Sequence, residues 1–155
     1  MGPALPRNVF ARNCTVRRID KDTAAVFLND NHRFGDASCR YRYGMFTKRT
    51  TGFSETSMPA ATLVAFSEFS NARKMRDGSR SYEWVRYASL KDMRVVGGMG
   101  KMLDAFVEEI RPDDVMSYAA DCDGDAYRVL GFEYEGKREF PGNHRSFKFR
   151  KRFSI

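Results

Sequence analysis

The strongest chemical signal in the chain is a run of glycines in the segment Val95–Lys101, which we call the glycine turn. Apolar residues then recur at steps of three and four, which predicts an amphipathic helix that ends before Pro112. The first amides of a helix lack internal partners, and with the helix dipole they favour an anion such as a pyrophosphate. A tight turn that simply needs glycine is the alternative. The residues expected to bind the anion are Val96, Gly97, Gly98, Met99, Gly100 and Lys101.

His32 and Asp121 are candidates for accepting a proton. His32 follows a predicted helix, and an imidazole that titrates near neutrality can act as a general base. The alternative is a histidine favoured by the dipole at a helix C-terminus. Asp121 lies at the carboxyl tip of a predicted strand, where ligand clefts open, so it could orient an attacking amine or take its proton. Its alternative role is to cap the helix that follows.

Glu83 and Arg86 lie on one predicted strand. Because side chains alternate along a straight strand, the two are expected on opposite faces. Arg86 in a cleft would bind a phosphate or a carboxylate, and a salt bridge to Glu83 or to a helix acid is the alternative. Ser117, on a later strand, either lines the cleft or is an ordinary core hydroxyl.

The chain has 155 residues and a net charge of +7, which suits one domain, 1–155, with an anionic partner such as a nucleic acid. Residues 1–8 contain two prolines and are expected to be loose. If the basic residues lie near a cleft they form a track for a polyanion. The alternatives are a solvated basic surface and an edge strand guarded by charge. The basic clusters are Arg33, Arg40, Arg42, Lys48 and Arg49, and Arg145, Lys148, Arg150, Lys151 and Arg152.

The three cysteines, Cys14, Cys39 and Cys122, are odd in number and widely spaced, which indicates free thiols in a reducing compartment. Their spacing relative to His32 and His144 does not support a zinc site, so no metal is expected. No apolar run approaches the ~20 residues that span a bilayer, and no signal peptide is visible. We therefore expect a cytoplasmic protein, in a host cell if the gene is phage-borne. Whether it is a monomer or a homodimer stays open.

Periodicity predicts an α+β domain with one central mixed sheet flanked by helices. A helix is expected over Asp22–Asn31, a second after the glycine turn, and a third over Asp123–Leu130. Thr50–Ala60 and Asn71–Arg80 are polar and are expected to be loops or turns. The predicted strands are Thr15–Asp20, Cys39–Lys48, Thr62–Phe69, Tyr82–Leu90, Val115–Ala120, Phe132–Glu135 and Phe147–Phe153.

Two motifs resemble the Gcn5-related N-acetyltransferase (GNAT) superfamily, over roughly Thr62–Glu135. That family carries an Arg/Gln-x-x-Gly-x-Gly/Ala turn at the start of a helix, which Gly98 and Gly100 match. It also carries a later Tyr-x-x-Leu-Gly-Phe stretch, which Tyr127–Phe132 matches. The chain departs from the family at Val95, where an Arg or Gln is expected, and Arg94 is one place off.

This resemblance implies a mostly antiparallel sheet that splays between its fourth and fifth strands. Here those strands would be Tyr82–Leu90 and Val115–Asp121. It also implies that acetyl-CoA, or another coenzyme A thioester, binds with its acyl group in the gap. Tyr127 would then protonate the departing thiolate, as a phenol with a pKa near 10 can do. A core aromatic is the alternative role for Tyr127.

Three shorter segments are similar to Mom-type DNA modification proteins of bacteriophages and to related phage GNAT-like proteins. They are Asn31–Gly35, Tyr82–Arg86, and Met116–Asp121 followed by Gly124 and Tyr127. This likeness implies adenine in DNA as the acceptor, which would have to be extruded from the duplex. Tyr127, Asp121, His32 and Ser117 would then be catalytic, and Arg86, Glu83 and Tyr118 would bind the substrate.

Three functions therefore stay open. The first is a transferase that modifies an amine on nucleic acid. The second is an acetyl-CoA-dependent N-acyltransferase that acts on a small amine, a protein or an aminoacyl-tRNA. The third is a non-enzymatic nucleic-acid-binding protein on a GNAT scaffold, which Val95 in place of Arg or Gln favours.

Overall fold

A computed structural model describes residues 7–31, 39–48, 61–91, 93–119, 125–140 and 144–153. Within them lie helices α1 (Lys21–Asn31), α2 (Gly98–Ile110) and α3 (Asp125–Val129), and a 3₁₀ turn at Ala11–Asn13. The strands are β1 (Arg7–Phe10), β2 (Cys14–Arg18), β3 (Tyr41–Thr47), β4 (Leu63–Phe69), β5 (Arg73–Lys74), β6 (Arg80–Ser89), β7 (Met93–Val96), β8 (Asp114–Ala119), β9 (Glu133–Phe140) and β10 (His144–Arg152).

The central sheet has eight strands in the order β2-β3-β4-β6-β8-β10-β9, with β5 also paired to β6. Its pairs are antiparallel except for β6 with β8, which run parallel. That parallel pairing covers only Ser81–Glu83 against Asp114–Met116. From Trp84 onwards β6 has no partner on β8, so a gap opens in the middle of the sheet. The mixed, mostly antiparallel sheet that splays at this point is confirmed.

The two faces of the sheet carry different helices, which lets each side chain be placed. On the face covered by α2, Phe106 stacks on Phe69 with ring centroids 3.9 Å apart and planes 4° from parallel. On the face covered by α1, Phe27 packs on Phe66. We call these the α2 face and the α1 face. The apolar stripe of α2 confirms the helix that periodicity predicted, because Met102, Leu103 and Phe106 are all buried.

A β-bulge in β6 changes which face Arg86 occupies. Glu68 pairs with Arg86 and Phe69 pairs with Trp84, so Val85 is an extra residue without a partner on β4. Trp84 packs in the core on the α2 face, whereas Ala88 packs with Phe27 on the α1 face. Glu83 and Arg86 therefore share the α1 face. The expectation that they lie on opposite faces was wrong because it assumed an unbroken alternation.

Three short strands, β1, β5 and β7, were not predicted. Arg7 and Asn8 were expected to be loose, but they belong to β1, which pairs in parallel with β7 from Arg7–Met93 to Phe10–Val96. The predicted turn at Asn71–Arg80 contains β5, which pairs with the start of β6. The predicted strand at Phe147–Phe153 is β10, and it lies between β8 and β9 rather than at an edge. The loop predicted at Thr50–Ala60 lies outside the described residues.

Candidate active site

The glycine turn joins β7 to α2 through a left-handed residue. Gly97 has φ 78° and ψ 8°, a conformation that glycine adopts without steric cost. The first helical hydrogen bond runs from the Lys101 amide to the Gly97 carbonyl, at 3.1 Å. The amides of Gly98, Met99 and Gly100 precede that bond, and no side chain caps them. They are the free donors that the sequence predicted for an anion.

Gly98 also answers a packing requirement. A Cβ at this position would overlap the Tyr87 hydroxyl and come within 3.0 Å of Val95 Cγ1. A Cβ at Gly100 would lie 3.3 Å from Leu130 Cδ2, a tighter contact than most. The glycines therefore let β6 and α3 approach the turn, so the turn both needs glycine and presents free amides.

A cavity of about 550 Å³ opens beside the turn. Pockets for ligands of cofactor size commonly have volumes of this order. Its walls come from the part of β6 beyond the pairing with β8, from β7, from the start of α2 and from α3. Its lining includes Tyr87, Arg94, Gly98, Gly100 and Asp125. A second cavity, of about 750 Å³, lies between α2 and Phe10–Arg12, away from α3.

Arg94 supplies a cation beside the turn, whereas Lys101 does not. Arg94 is exposed and lines the smaller cavity, while Val95 is half-buried against Gly98. The Lys101 ammonium donates to the Ala11 carbonyl at 2.9 Å and to the Cys14 carbonyl at 2.6 Å. Because its amide is also used within α2, both nitrogen atoms of Lys101 are engaged inside the protein. Lys101 therefore has a bracing role, in which it holds α2 against the carbonyls of Ala11 and Cys14. This contact takes the place of the predicted contact with an anion.

Ser117 and Tyr127 meet where the sheet opens. Ser117 Oγ donates to the Trp84 carbonyl at 2.9 Å and lies 2.8 Å from Tyr127 Oη. A carbonyl only accepts, so the serine proton goes to Trp84 and the Tyr127 phenol donates to Ser117. Burial, opposed by the bond to Ser117 and aided by the charge of Glu83, raises the pKa of Tyr127 above its ordinary value. The phenol therefore keeps its proton at neutral pH.

The Tyr127 ring is held by other aromatic rings. It stacks on Phe149 with centroids 5.6 Å apart and meets Trp84 edge-on at 6.2 Å. Both the core aromatic and the candidate acid proposed for Tyr127 are compatible with this placement. Tyr118 follows Ser117 on β8 and is half-buried, and alternation directs it to the α1 face.

Glu83 is a carboxylate on the α1 face near this point. Its side chain is 24% exposed and forms an ion pair with Arg73 at 4.0 Å. Burial raises the pKa of Glu83 above its ordinary value, while Arg73 opposes that shift. A carboxylate with a raised pKa is a stronger base, which suits it to take a proton from an amine.

Arg86 pairs with Glu68, a buried acid that the sequence analysis missed. Arg86 Nε lies 3.5 Å from Glu68 Oε2, and Arg42 Nε lies 3.6 Å from Glu68 Oε1. The predicted alternatives for Arg86, Glu83 or a helix acid, are therefore both replaced by a neighbour across the ladder. A single acid within the apolar run of β4 was the available signal for this site.

Three basic residues of β10, Lys148, Arg150 and Lys151, are engaged within the protein. Arg150 is 7% exposed and binds Asp114 at 2.6 Å and Glu135 at 2.9 Å. Lys148 and Arg152 lie 3.7 Å and 3.6 Å from the same Glu135 carboxylate. The Lys151 ammonium donates to the Leu130 carbonyl. Lys148, Arg150 and Lys151 are thus paired within the protein, whereas the Arg152 side chain is 70% exposed. Arg33, Arg49 and the side chain of Arg145 lie outside what the structure describes.

Two predicted catalytic residues, His32 and Asp121, lie outside the described residues. Asp121 follows Ala119, the last residue of β8, by two positions. No helix among the described residues is long and apolar enough to cross a membrane. Within the same residues, no group of three His, Cys, Asp or Glu side chains could hold a metal ion.

Comparisons with known proteins rest on structure alone, because no family model and no curated protein matches the chain. The NatC complex bound to Gag peptide and CoA matches with a TM-score of 0.64 and 12% identity, over 92% of this chain and 99% of that chain. Arabidopsis thaliana Naa50, in complex with a bisubstrate analogue, matches with a TM-score of 0.63 and 10% identity, over 91% and 99%.

A third solved structure is yncA, a putative acetyltransferase from Salmonella typhimurium with its cofactor acetyl-CoA. It matches with a TM-score of 0.58 and 14% identity, over 90% of this chain and 94% of that chain. At such identities the likeness concerns the path of the chain and not its chemistry. The split sheet, the glycine turn at the start of α2 and these three matches together establish that the chain has the GNAT acetyltransferase fold.

Proposed function

We propose that the protein is a coenzyme A-dependent N-acyltransferase, which transfers an acyl group from a thioester to an amine. One observation carries the proposal. Helix α3 lines the cavity at the glycine turn, and the same helix holds the Tyr127 hydroxyl against Ser117 where β6 and β8 part. Solved structures of the same fold with CoA or acetyl-CoA bound support it.

The residues of the turn fit the anionic part of coenzyme A. The amides of Gly98, Met99 and Gly100 are free to bind a pyrophosphate, aided by the α2 dipole. Arg94 adds a positive charge at the same cavity, which offsets the lack of an Arg or Gln at Val95. When bound there, coenzyme A supplies the acyl thioester.

The β-bulge in β6 is placed to polarise the acyl carbonyl. Val85 has no register partner on β4, and the pairing of β6 with β8 ends two residues earlier at Glu83. Its main-chain amide therefore lies where the sheet begins to open. An amide at this point can donate to an oxygen that gains negative charge during transfer.

Two side chains complete the proton transfers. Glu83 takes a proton from the attacking amine, for which its raised pKa suits it. Tyr127 donates its phenolic proton to the departing sulfur, and Ser117 keeps the phenol oriented until then. His32 and Asp121 remain proposals for the same base role, and Tyr118 remains a proposal for contact with the acceptor.

Titration calorimetry with acetyl-CoA, followed by an assay of coenzyme A release with a panel of amines, tests this function. We expect acetyl-CoA to bind, and its turnover to depend on the added amine. Val95→Arg should preserve binding or tighten it, because it restores the family residue beside Arg94. If acetyl-CoA does not bind and no amine promotes its turnover, the proposal is wrong, and a non-enzymatic role on this scaffold takes its place.

Modification of an amine on nucleic acid, such as adenine in phage DNA, is the second candidate. Its support is the net charge of +7 and a group of exposed cations at Arg73, Lys74 and Arg76, next to β6. The internal pairing of β10 reduces the charge available for a track. Mass spectrometry of nucleosides from cells that express the protein tests this candidate, and unaltered nucleosides would eliminate it.

A further inference from the structure

Three charged side chains form a row across the α1 face of the sheet. Arg42, Glu68 and Arg86 stand opposite one another on β3, β4 and β6. The Glu68 side chain is fully buried, and those of Arg42 and Arg86 are 14% and 11% exposed. We call these three residues the charged row. A carboxylate buried to this extent is stable only with cations beside it, which the two arginines supply.

The described residues of the row carry more positive than negative charge. Two guanidinium groups face one carboxylate, which leaves a surplus of one positive charge. Among the described residues, Cys39 is another acidic group that lies beside Glu68. Burial, together with the neighbouring charge of Glu68, raises the pKa of Cys39 to about 12, so its thiol stays neutral and does not balance the surplus.

Arg86 has donors left over. Its Nε and Nη1 atoms are buried, and neither meets a hydrogen-bond partner among the described residues. Its contact with Glu68, at 3.5 Å, is an ion pair that leaves the guanidinium donors unsatisfied. Buried donors without partners are unfavourable, and an arginine fork matches the two oxygens of a carboxylate. The row is therefore built to receive an anion.

The row lies beside the gap, on the face away from the glycine turn. Arg86 directly follows Val85, the bulge residue at the opening of the sheet. Tyr87, the next residue, points the other way and lies against Gly98. A coenzyme bound at the turn approaches from the α2 face, so we expect the acceptor to approach from the α1 side of the gap. An anion on Arg86 would thus belong to the acceptor and not to the coenzyme.

We propose that the acceptor is a small amine that carries its own carboxylate, and that Arg86 binds this carboxylate while Glu68 and Arg42 hold the guanidinium in place. This inference rests on the proposed function. One carboxylate matches the surplus of one positive charge. A phosphate monoester carries a charge of about −1.5 to −2 near neutrality and would overcompensate it. Arg86 is only 11% exposed, which favours a terminal group on a small molecule over the backbone of a polyanion.

Matched pairs of acceptors test the proposal. Coenzyme A release is measured with several amino acids and with the carboxamide of each, at a fixed concentration of the unprotonated amine. The carboxylate acceptors should have a kcat/KM about 10 to 100 times higher, as expected for a charge-assisted hydrogen bond. Equal values for the two forms, or a preference for a peptide or a nucleoside amine, would overturn it.

Variants separate binding of the carboxylate from structural support. Arg86→Gln should erase the preference, by lowering kcat/KM for the carboxylates to the level found for the carboxamides. Arg86→Lys, which keeps the charge but loses the fork, should keep part of the preference. Arg76→Gln changes an exposed arginine in the turn after β5 and should alter neither value. If Arg86→Gln lowers turnover of both acceptor forms equally, Arg86 has only a structural role.

A binding measurement without turnover tests the carboxylate site independently of the proposed function. Calorimetry with N-acetyl amino acids and their carboxamides, in the absence of coenzyme, should show tighter binding of the carboxylates to the wild type and not to Arg86→Gln. If acetyl-CoA fails to bind but this difference is found, the proposed function is wrong and the carboxylate site remains. If acetyl-CoA binds and this difference is absent, the carboxylate site is wrong and the proposed function remains.

Discussion

Tyr127 Oη lies 2.8 Å from Ser117 Oγ, and Ser117 in turn donates to the main-chain carbonyl of Trp84. Trp84 is the first residue of β6 beyond the short parallel pairing with β8. The Trp84 carbonyl, just beyond the end of that pairing, is thus satisfied by Ser117, which also orients the Tyr127 phenol. Ser117 therefore has two roles: it satisfies the Trp84 carbonyl, and it positions the Tyr127 phenol as a proton donor at the opening of the sheet.

Tyr127→Phe should lower kcat by about 10²- to 10⁴-fold, the usual range for removal of a general acid. The KM for acetyl-CoA should change little, because the binding amides belong to the glycine turn. Initial rates of coenzyme A release measure both constants. Ser117→Ala is the matched control, since it removes the hydrogen bond but keeps the phenol, and it should cost far less. Full turnover by Tyr127→Phe would show that the phenol is not the acid.

Gly98→Ala should abolish binding of acetyl-CoA, because the new Cβ overlaps the Tyr87 hydroxyl and displaces the turn. Gly100→Ala should be milder, since its Cβ meets only the flexible end of Leu130 at 3.3 Å. Calorimetry with acetyl-CoA measures both effects.

A rescue experiment tests the cause of the Gly98 effect. The double variant Gly98→Ala with Tyr87→Phe removes the overlapping oxygen and should regain part of the affinity. If the double variant binds no better than Gly98→Ala alone, the clash with Tyr87 does not explain the loss.

Lys101→Met should destabilise the protein by about 1 to 3 kcal/mol, because it leaves the part-buried carbonyls of Ala11 and Cys14 without their charged donor. Urea unfolding followed by circular dichroism measures the change. A lysine that bound the pyrophosphate directly would give the reverse pattern, with stability preserved and affinity for acetyl-CoA strongly reduced. The same pair of measurements therefore distinguishes the bracing role from the role that the sequence predicted.

The pH profile of the reaction should carry the signature of Glu83. A general base acts when it is deprotonated, so activity should fall as the pH decreases through the pKa of Glu83, which burial places above its ordinary value of 4.5. Arg73 lowers this pKa, so Arg73→Gln should move the acid limb of the profile to higher pH. Arg76→Gln serves as the control and should leave the limb in place. A limb that persists in Glu83→Gln would assign the base to another residue.

Asp114→Asn should destabilise the fold by about 3 to 5 kcal/mol, the usual effect of removing one partner of a buried ion pair. Asp114 accepts from both Arg150 and Ser81, and all three side chains are buried. Arg152→Gln, at an exposed position on the same strand, should change stability by less than about 0.5 kcal/mol. Urea unfolding compares the two. Equal effects would mean that the network contributes little.

The parts of the fold with a strong local pattern were predictable from sequence. The helix after the glycine turn shows a periodicity of 3.6, and the turn itself needs glycine at Gly97 and Gly98. The splay between β6 and β8 came from the family resemblance, since no local pattern reports which strands separate. The place of β10 inside the sheet was missed for the same reason, because alternation does not reveal a strand's neighbours.

Site residues that belong to a sequence motif were predictable, whereas those whose role depends on a bulge or on strand register were not. Tyr127 and Ser117 were named from motifs, and they meet in the structure. The bulge at Val85 leaves no mark in the sequence, so the face of Arg86 was misassigned. Its pairing with Glu68 depends on the register of three strands, which no local pattern specifies.

The parallel pairing of β1 with β7 joins the glycine turn to a segment some ninety residues away in sequence, and Lys101 fastens the same contact from α2. Order at the turn and order in β1 are therefore thermodynamically linked. A ligand that holds the turn should therefore slow hydrogen exchange at the β1 amides, and a change that frays β1 should weaken binding of that ligand, because such coupling is reciprocal. The affinity of the glycine turn for a ligand therefore depends in part on β1.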